Sequence, residues 1–416
     1  MSASSAAPPA VHIAYVTETF PPEINGVSLS AARAVSHLRA AGHQVQLVRP
    51  QQRGEAPCDD AQQWLTAGGP IPMYPELRYG LARVARLRQH WARDPRSATL
   101  AGAATPDLVH VATPGPLAWA ALRAARAECI PTSADFRTNF HAYSHHYGVG
   151  WLAPLVLGYL RRLHAMADCN FVPTTELAVQ LTAQRFERLQ VVGRGVDAER
   201  FSPMWRDPWL RRSWDVRPQD PVLLHVGRLA PEKNVSLALQ TFEQLRVLHP
   251  GVRMVVVGDG PQRRALERAH PLVRFVGVQT GEPLARHYAS ADVFLFPSLT
   301  DTFGNVTLEA LASGLAVVAF DTAAAAQHIE DGISGCLVPL QPPSAAAAAP
   351  AQAQAQAFLA AARRALAVAH PNSALRLQAL RAARRADWDS VLRSFEQRLR
   401  AVAGTAGAPI GHAAVA

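Results

Sequence analysis

Short apolar runs alternate with stretches of helical period along most of the chain. Residues 11–16 form one such run, a Pro/Asn/Gly-rich stretch follows at 17–26, and a 3.6-residue period runs over 27–41, closed by Gly42. A second apolar run at 44–48 completes a strand–loop–helix–strand start, which predicts a parallel sheet. Further strands are expected at 108–112, 131–135, 169–173 and 189–192, with Ala/Leu/Arg-rich helices between them, as at 117–128. Residues 201–221, rich in Pro, Trp and charge, break the alternation. It restarts with strand 222–226, helix 235–248, strand 253–257, helix 261–270 and strand 273–276. Strand 293–296, a helix from about Asn305, and strands 315–320 and 336–338 follow. Residues 344–356 are an Ala/Gln/Pro tract that reads as a low-complexity linker. Residues 357–402 are helical in pattern, with Trp388, Leu392, Phe395 and Leu399 on one stripe. The expected organisation is an α/β domain over 1–203, a second over 204–385, a helix at 386–402 packing back toward the first domain, and a flexible tail at 403–416.

Composition narrows the class. Of 416 residues, 49% are apolar and 18% charged, which excludes global disorder. The net charge of +9 comes from 41 basic and 32 acidic residues. It is spread evenly, so nucleic-acid binding is a weak reading, while attraction to anionic lipid or phosphate-bearing substrates stays open. Lys233 is the one lysine; the other 40 basic residues are arginines. The four cysteines are far apart and point to neither a disulfide framework nor a zinc site. The uncharged run at 151–160 is ten residues long and holds Pro154 and Gly158, too short for the roughly 20 residues that span a bilayer. A cytoplasmic protein is expected, with peripheral contact at the inner face of the membrane as an option. The segment 77–96 bears on that option. Leu77, Leu81, Val84, Leu87 and Trp91 recur at helical spacing beside Arg83, Arg86 and Arg88. Such a helix either lies on an anionic leaflet or packs its stripe on the sheet.

Four loops carry candidate chemistry, each at the end of an expected strand, where open sheets bind ligands. Arg228 and Lys233 lie five residues apart in Gly227–Asn234, and a guanidinium fork with an ammonium suits a diphosphate. In a chain that otherwise uses arginine, a single lysine marks a place where a compact charge matters, or is chance. Asp301 and Glu309 bracket Gly304, Asn305 and Val306, whose backbone N–H groups should open a helix and form an anion site. On the residues alone, a capping role for Asp301 and a surface ion pair for Glu309 explain these acids at least as well. Gly26 before the first helix permits close backbone approach to a phosphate. Gly258-Asp259-Gly260-Pro261 lacks a third glycine and reads as a tight turn rather than a dinucleotide loop. Arg137, Asn139 and His141, with His145 and His146 behind, form a polar loop facing the same crevice. Helical spacing of the histidines makes metal ligation conceivable, but no carboxylate or cysteine completes a set, so no metal is expected.

Taken together, the motifs resemble the family 4 retaining glycosyltransferases. The resemblance rests on Asn25-Gly26-Val27, Arg194-Gly195-Val196-Asp197 with Phe201 and Pro203, Gly227-Arg228 through Lys233, Gly258-Asp259-Gly260 and the acid-x7-Glu pair, and covers roughly residues 11–340. It is nearest to bacterial GDP-mannose-dependent α-mannosyltransferases and sulfoquinovosyl-diacylglycerol synthases. It implies a GT-B fold, two Rossmann-like parallel-sheet domains facing each other across a cleft, with acceptor bound by the first and nucleotide-sugar by the second. It implies transfer of a hexose, with mannose the first choice, from a nucleotide-diphosphate sugar to a lipid or glycan acceptor, without a metal or other cofactor. Arg228 and Lys233 would bind the diphosphate, Asp301 the sugar hydroxyls, Glu309 the ribose, and the amides of Gly304, Asn305 and Val306 the sugar and phosphate. Gly26 would meet the phosphate from the other domain. Two departures stand out: Asp301 replaces the more common glutamate, and Arg137 replaces a histidine, a role that Arg137 or His141 would have to fill. A catalytically silent binding subunit with the same fold, and an NAD-dependent oxidoreductase, are the alternatives; the second lacks its glycine fingerprint.

Overall fold

The computed structural model describes residues 9–23, 26–60, 62–71, 74–92, 105–136, 153–301, 303–340, 348–370 and 373–404. Its first half is a sheet of eight strands: β1 (His12–Val16), β2 (Gln44–Pro50), β3 (Gln63–Ile71), β4 (Tyr74–Leu81), β5 (Leu108–Val111), β6 (Thr132–Asp135), β7 (Cys169–Val172) and β8 (Leu189–Val191). They lie in the order β4-β3-β2-β1-β5-β6-β7-β8. All neighbours are parallel except β3 and β4. The second half holds β9 (Val222–Val226), β10 (Arg253–Val257), β11 (Arg274–Gly277), β12 (Val293–Phe296), β13 (Ala316–Phe320) and β14 (Cys336–Val338). Their order is β11-β10-β9-β12-β13-β14, and every pairing is parallel. In both sheets the strand order reverses next to the first strand, between β1 and β5 and between β9 and β12. Loops on either side of such a point diverge and leave a crevice at the strands' carboxyl ends.

The inner strands are almost fully buried because helices cover both faces, which is why they read as continuous apolar runs rather than alternating ones. In the first half the helices Gly26–Ala40 and Pro116–Ala127 bury Ala34, Val35 and Leu38 on one face and Leu117, Ala121 and Leu122 on the other. In the second half Val235–Leu248 buries Phe242 and Leu245. The segment between the halves is docked on the second by Asp292. That carboxylate accepts from Arg206 at 2.8 Å, from Arg211 at 3.1 Å and from the N–H of Val222 at 2.8 Å.

The chain crosses back at its end. Helix Trp388–Gly404 places Leu392, Phe395, Leu399 and Val402 in the core of the first half, where Phe395 packs edge-on against His110 and Phe171. The two crossings run side by side: the N–H of Val196 donates to the Ala386 carbonyl at 2.9 Å. A methyl group on Gly195 would come within 2.6 Å of the Trp388 Cα, so only glycine fits there.

Three expectations need correction. Residues 77–96 do not form one amphipathic helix. Up to Leu81 they are β4, and the helix is only Val84–Trp91, with Arg93 and Arg96 outside the described residues. Leu87 and Trp91 are buried in the first core, while Arg86 pairs with Asp59 and Arg88 with Glu128. Leu87 and Trp91 are therefore occupied by protein and cannot enter a lipid surface, while Leu81 is exposed. The linker expected at 344–356 is helical from Ala348 onward, as part of Ala348–Val368, because Ala and Gln are strong helix formers whatever their complexity. The β3–β4 pair was not foreseen, since Gly68, Gly69 and Pro70 hide its alternation. All four cysteines are free thiols, and no helix among the described residues is long and apolar enough to cross a membrane.

The returning helix supplies side chains that the first half's core lacks without it. Phe395→Ala is expected to cost about 3–5 kcal/mol, measured by chemical denaturation.

Candidate functional site

The site grows from the reversal point of the second sheet. After β9 the chain turns at Gly227, with φ +154°, into Gly227–Asn234, and Asn234, at φ +50°, starts helix Val235–Leu248. After β12 it runs through Ser298–Asp301 to Gly304, whose φ of +88° lets it cap helix Asn305–Ala312. The N–H of Leu299 donates to the Glu232 carbonyl at 2.9 Å and joins the two loops. The Gly258-Asp259-Gly260 turn buttresses the first of them from behind. A methyl group on Gly258 would strike the Gly227 carbonyl, and one on Gly260 would come within 2.5 Å of the Leu229 carbonyl. The glycines of this turn therefore serve backbone packing beneath the Arg228 loop.

Lys233 and Asp301 meet across the two loops. Nζ of Lys233 donates to Oδ1 of Asp301 at 2.7 Å, with both side chains mostly buried. The ammonium also lies 5.6 Å from the centre of the Phe296 ring. Arg228 is exposed at the mouth of the same loop. Three acceptor oxygens, Thr300 Oγ1, Asp301 Oδ2 and Asn305 Oδ1, are buried there with no hydrogen-bond partner among the described residues. Unmet buried acceptors cost free energy and mark a place for donor groups of a ligand.

One turn into the helix, Glu309 Oε2 accepts from the Tyr288 hydroxyl at 2.9 Å. Desolvation pushes its pKa up to about 7, and the tyrosine opposes the shift only in part. Behind Gly227 lies His225, fully buried. Its Nδ1 donates to the Leu295 carbonyl at 3.0 Å, so Nε2 is unprotonated, and burial lowers the pKa to about 4. That ring stays neutral under the Arg228 loop.

From the first half, Gly26 opens helix Gly26–Ala40 at the reversal point of its own sheet. A methyl group on Gly26 would stand 3.6 Å from Nδ2 of Asn305 and 3.9 Å from Nη1 of Arg194. The structure thus brings Gly26, Lys233, Asp301, Gly304, Asn305, Val306 and Glu309 to one cleft, with Arg228 at its rim. Asn25, Arg137, Asn139, His141, His145 and His146 lie outside the described residues. No group of three metal-ligating side chains occurs among the described residues. Sequence reasoning passed over Tyr288, His225 and the placement of Arg194; only the Arg194 motif carried a signal.

A two-domain α/β transferase that works on nucleotide-activated sugars is the class that this fold and cleft define. Residues 24–200 match the family described as Glycosyltransferase Family 4, and residues 220–356 that described as Glycosyl transferases group 1. The chain is 35% identical over 335 residues to a GDP-mannose-dependent alpha-mannosyltransferase of Mycobacterium tuberculosis, covering 79% of this chain and 84% of that protein. It is 33% identical over 257 residues to the sulfoquinovosyl transferase SQD2 of Arabidopsis thaliana, covering 60% and 48%. Among solved structures it shares the fold of the sucrose-phosphate synthase of Thermosynechococcus elongatus, with a TM-score of 0.72, 18% identity and coverage of 95% and 100%. The chain belongs to glycosyltransferase family 4. It has the GT-B fold and is a nucleotide-sugar-dependent hexosyltransferase.

The Glu309 pKa sets a stability signature. A carboxyl group raised from 4.5 to about 7 by folding favours the folded state when protonated. Ionisation at higher pH therefore costs folded-state stability, from about pH 4.5 upward and in full above about 7. Glu309→Gln should melt above the wild type at pH 8, with the gap closing by pH 4.5, measured as Tm across that range.

Proposed function

We propose that this enzyme transfers mannose, with retention at the anomeric carbon, from GDP-mannose to a hydroxyl of a lipid or glycan acceptor. The observation that carries the sugar class is the set of buried oxygens without a hydrogen-bond partner among the described residues, Thr300 Oγ1, Asp301 Oδ2 and Asn305 Oδ1. Oxygens that can accept, one of them a carboxylate's, favour a neutral polyhydroxy sugar, whose hydroxyls donate to them. They disfavour a sulfonated or carboxylated one, whose charge would face Asp301. That separates the mannosyl reading from the sulfoquinovosyl one, and the similarity to the mannosyltransferases, longer in coverage, supports it. A lipid acceptor draws support from SQD2 and from the 22% identical alpha-monoglucosyldiacylglycerol synthase of Acholeplasma laidlawii.

The chemistry breaks the bond from C1 of the sugar to the β-phosphate oxygen and forms one from C1 to the acceptor oxygen on the same face. The acceptor's proton passes to the departing phosphate oxygen. Arg228, Lys233 and the N-terminal amides of Asn305–Ala312 neutralise the diphosphate, which makes a divalent ion unnecessary. Donor arrival separates Lys233 from Asp301: the ammonium turns to the phosphate and the carboxylate to the sugar. Glu309 accepts from the ribose hydroxyls.

Lys233→Ala and Arg228→Ala should each lower kcat by about 10²–10³. Arg228→Ala should melt normally, whereas Lys233→Ala strands Asp301, melts lower and is assayed below its own transition; Lys233→Arg should not restore turnover, since a planar fork replaces a point charge. Near wild-type turnover in either alanine variant would remove the diphosphate assignment. In a donor panel, GDP-mannose should raise Tm more than UDP-glucose or a uronic-acid nucleotide, with stabilisation near 2.7 kcal/mol at about a hundred times Kd. Turnover should be unchanged by a chelator. A larger shift with the uronic-acid donor, or loss of turnover with the chelator, would each overturn its part of the reading.

A further inference from the structure

In the Arg194–Asp197 segment that leaves the first sheet, three of four residues serve the crossing between the halves. Gly195 lies against the backbone of Trp388, and Val196 donates to the Ala386 carbonyl. Asp197 pairs with Arg33 at 2.9 Å and accepts from the N–H of Arg200 at 3.0 Å. Arg194 reaches the other way. Its Nη1 stands 3.9 Å from the point that a methyl group on Gly26 would occupy, and Nδ2 of Asn305 stands 3.6 Å from that same point. A guanidinium from the first half, the first turn of a helix from the same half and the first residue of a helix from the second half thus meet at one spot, which Gly26 keeps clear of side chain. Asn305 carries one of the buried oxygens that would take the sugar, so this spot lies at the end of the cleft where sugar joins phosphate.

We propose that Arg194 binds the β-phosphate of the nucleotide donor, so that the diphosphate bridges Arg228 and Lys233 of the second half to Arg194 of the first. The inference rests on the glycosyl-transfer reading above. A guanidinium offers parallel N–H donors matched to phosphate oxygens, which an ammonium does not. The β-phosphate is the group bonded to the sugar, and the α-phosphate sits nearer the ribose at Glu309. A nucleoside monophosphate would therefore leave Arg194 without its ligand, and only a diphosphate would tie the halves together. A phosphate carried by the acceptor has the same chemistry, and the test separates the two sources.

GDP, GMP, UDP and UMP are titrated by calorimetry into the wild type, Arg194→Met and Arg194→Lys, with melting curves as the control for folding. Arg194→Met is expected to weaken the diphosphate about 10- to 100-fold, the scale of a hydrogen bond to a charged group. The matching monophosphate should change less than about 2-fold, and Arg194→Lys should fall between. An equal loss for diphosphate and monophosphate would overturn the proposal, because it marks a general effect on the site. Unchanged diphosphate affinity would overturn it too, and a rise confined to the KM of a phosphorylated acceptor would assign Arg194 to the acceptor instead. If the wild type binds neither GDP nor UDP, the nucleotide-sugar reading itself fails.

Discussion

A lysine and an aspartate 2.7 Å apart hold the two loops of the second sheet's reversal point together, and the site's other features are arranged around that pair. Neither charge is well solvated, so each depends on the other: removing one partner from a buried pair is far more costly than removing both. The pair also explains why a lysine stands here in a chain of arginines. A compact ammonium on a flexible stem can leave a carboxylate for a phosphate by rotating about single bonds. A guanidinium committed to two parallel hydrogen bonds would have to give up both. Asp301 is short enough to hold Lys233 with one oxygen while the other, like the oxygens of Thr300 and Asn305, has no partner among the described residues.

The glycines show how backbone packing precedes chemistry. Gly258 and Gly260 lie under the Arg228 loop so closely that no side chain fits, and the N–H of Leu229 donates to the Asp259 carbonyl there. The Arg228 loop is thus supported by main chain, which cannot change rotamer. His225 fills the space beside it as a neutral ring pinned through Nδ1, so no extra positive charge competes with Lys233 for anions.

Most of the fold was legible because both faces of each sheet are covered. Strands such as 222–226 and 253–257 then become uninterrupted apolar runs, and the helices between them keep a clear period. Legibility failed where another rule overrode that one. β3 and β4 pair antiparallel at the sheet's edge, and their glycines and proline erase the alternation; the apolar positions of β4 then join those of Val84–Trp91 into a false helical stripe. The Ala/Gln tract was read by its complexity when its propensity decided the outcome. In the site, residues adjacent in sequence, such as Arg228 and Lys233 or Asp301 and Glu309, were visible as spacings. Tyr288 and His225 were not, because they reach the site from a helix and a strand whose sequences carry only core-like signals.

The two kinds of contact between the halves differ in what they would cost to break. The crossings are welded: Gly195 abuts Trp388, Val196 bonds Ala386, and the returning helix is buried in the first core. Across the cleft, the contacts among the described residues are fewer. Gly26 faces Asn305 and Arg194, and Glu176 accepts from the N–H of Ala323 at 2.8 Å. Ala323 itself sits at φ +51°, a conformation that disfavours alanine by about 1–3 kcal/mol. A hydrogen bond to a charged carboxylate is worth about 1.5–3 kcal/mol, so that strain offsets much of the Glu176 contact. Among the described residues the halves are therefore joined more extensively at the crossings than across the cleft. A ligand with charge to share between both halves, as proposed for the diphosphate, would add to these contacts. That is the property a transferase needs if the sugar is to be shielded from water until the acceptor is in place.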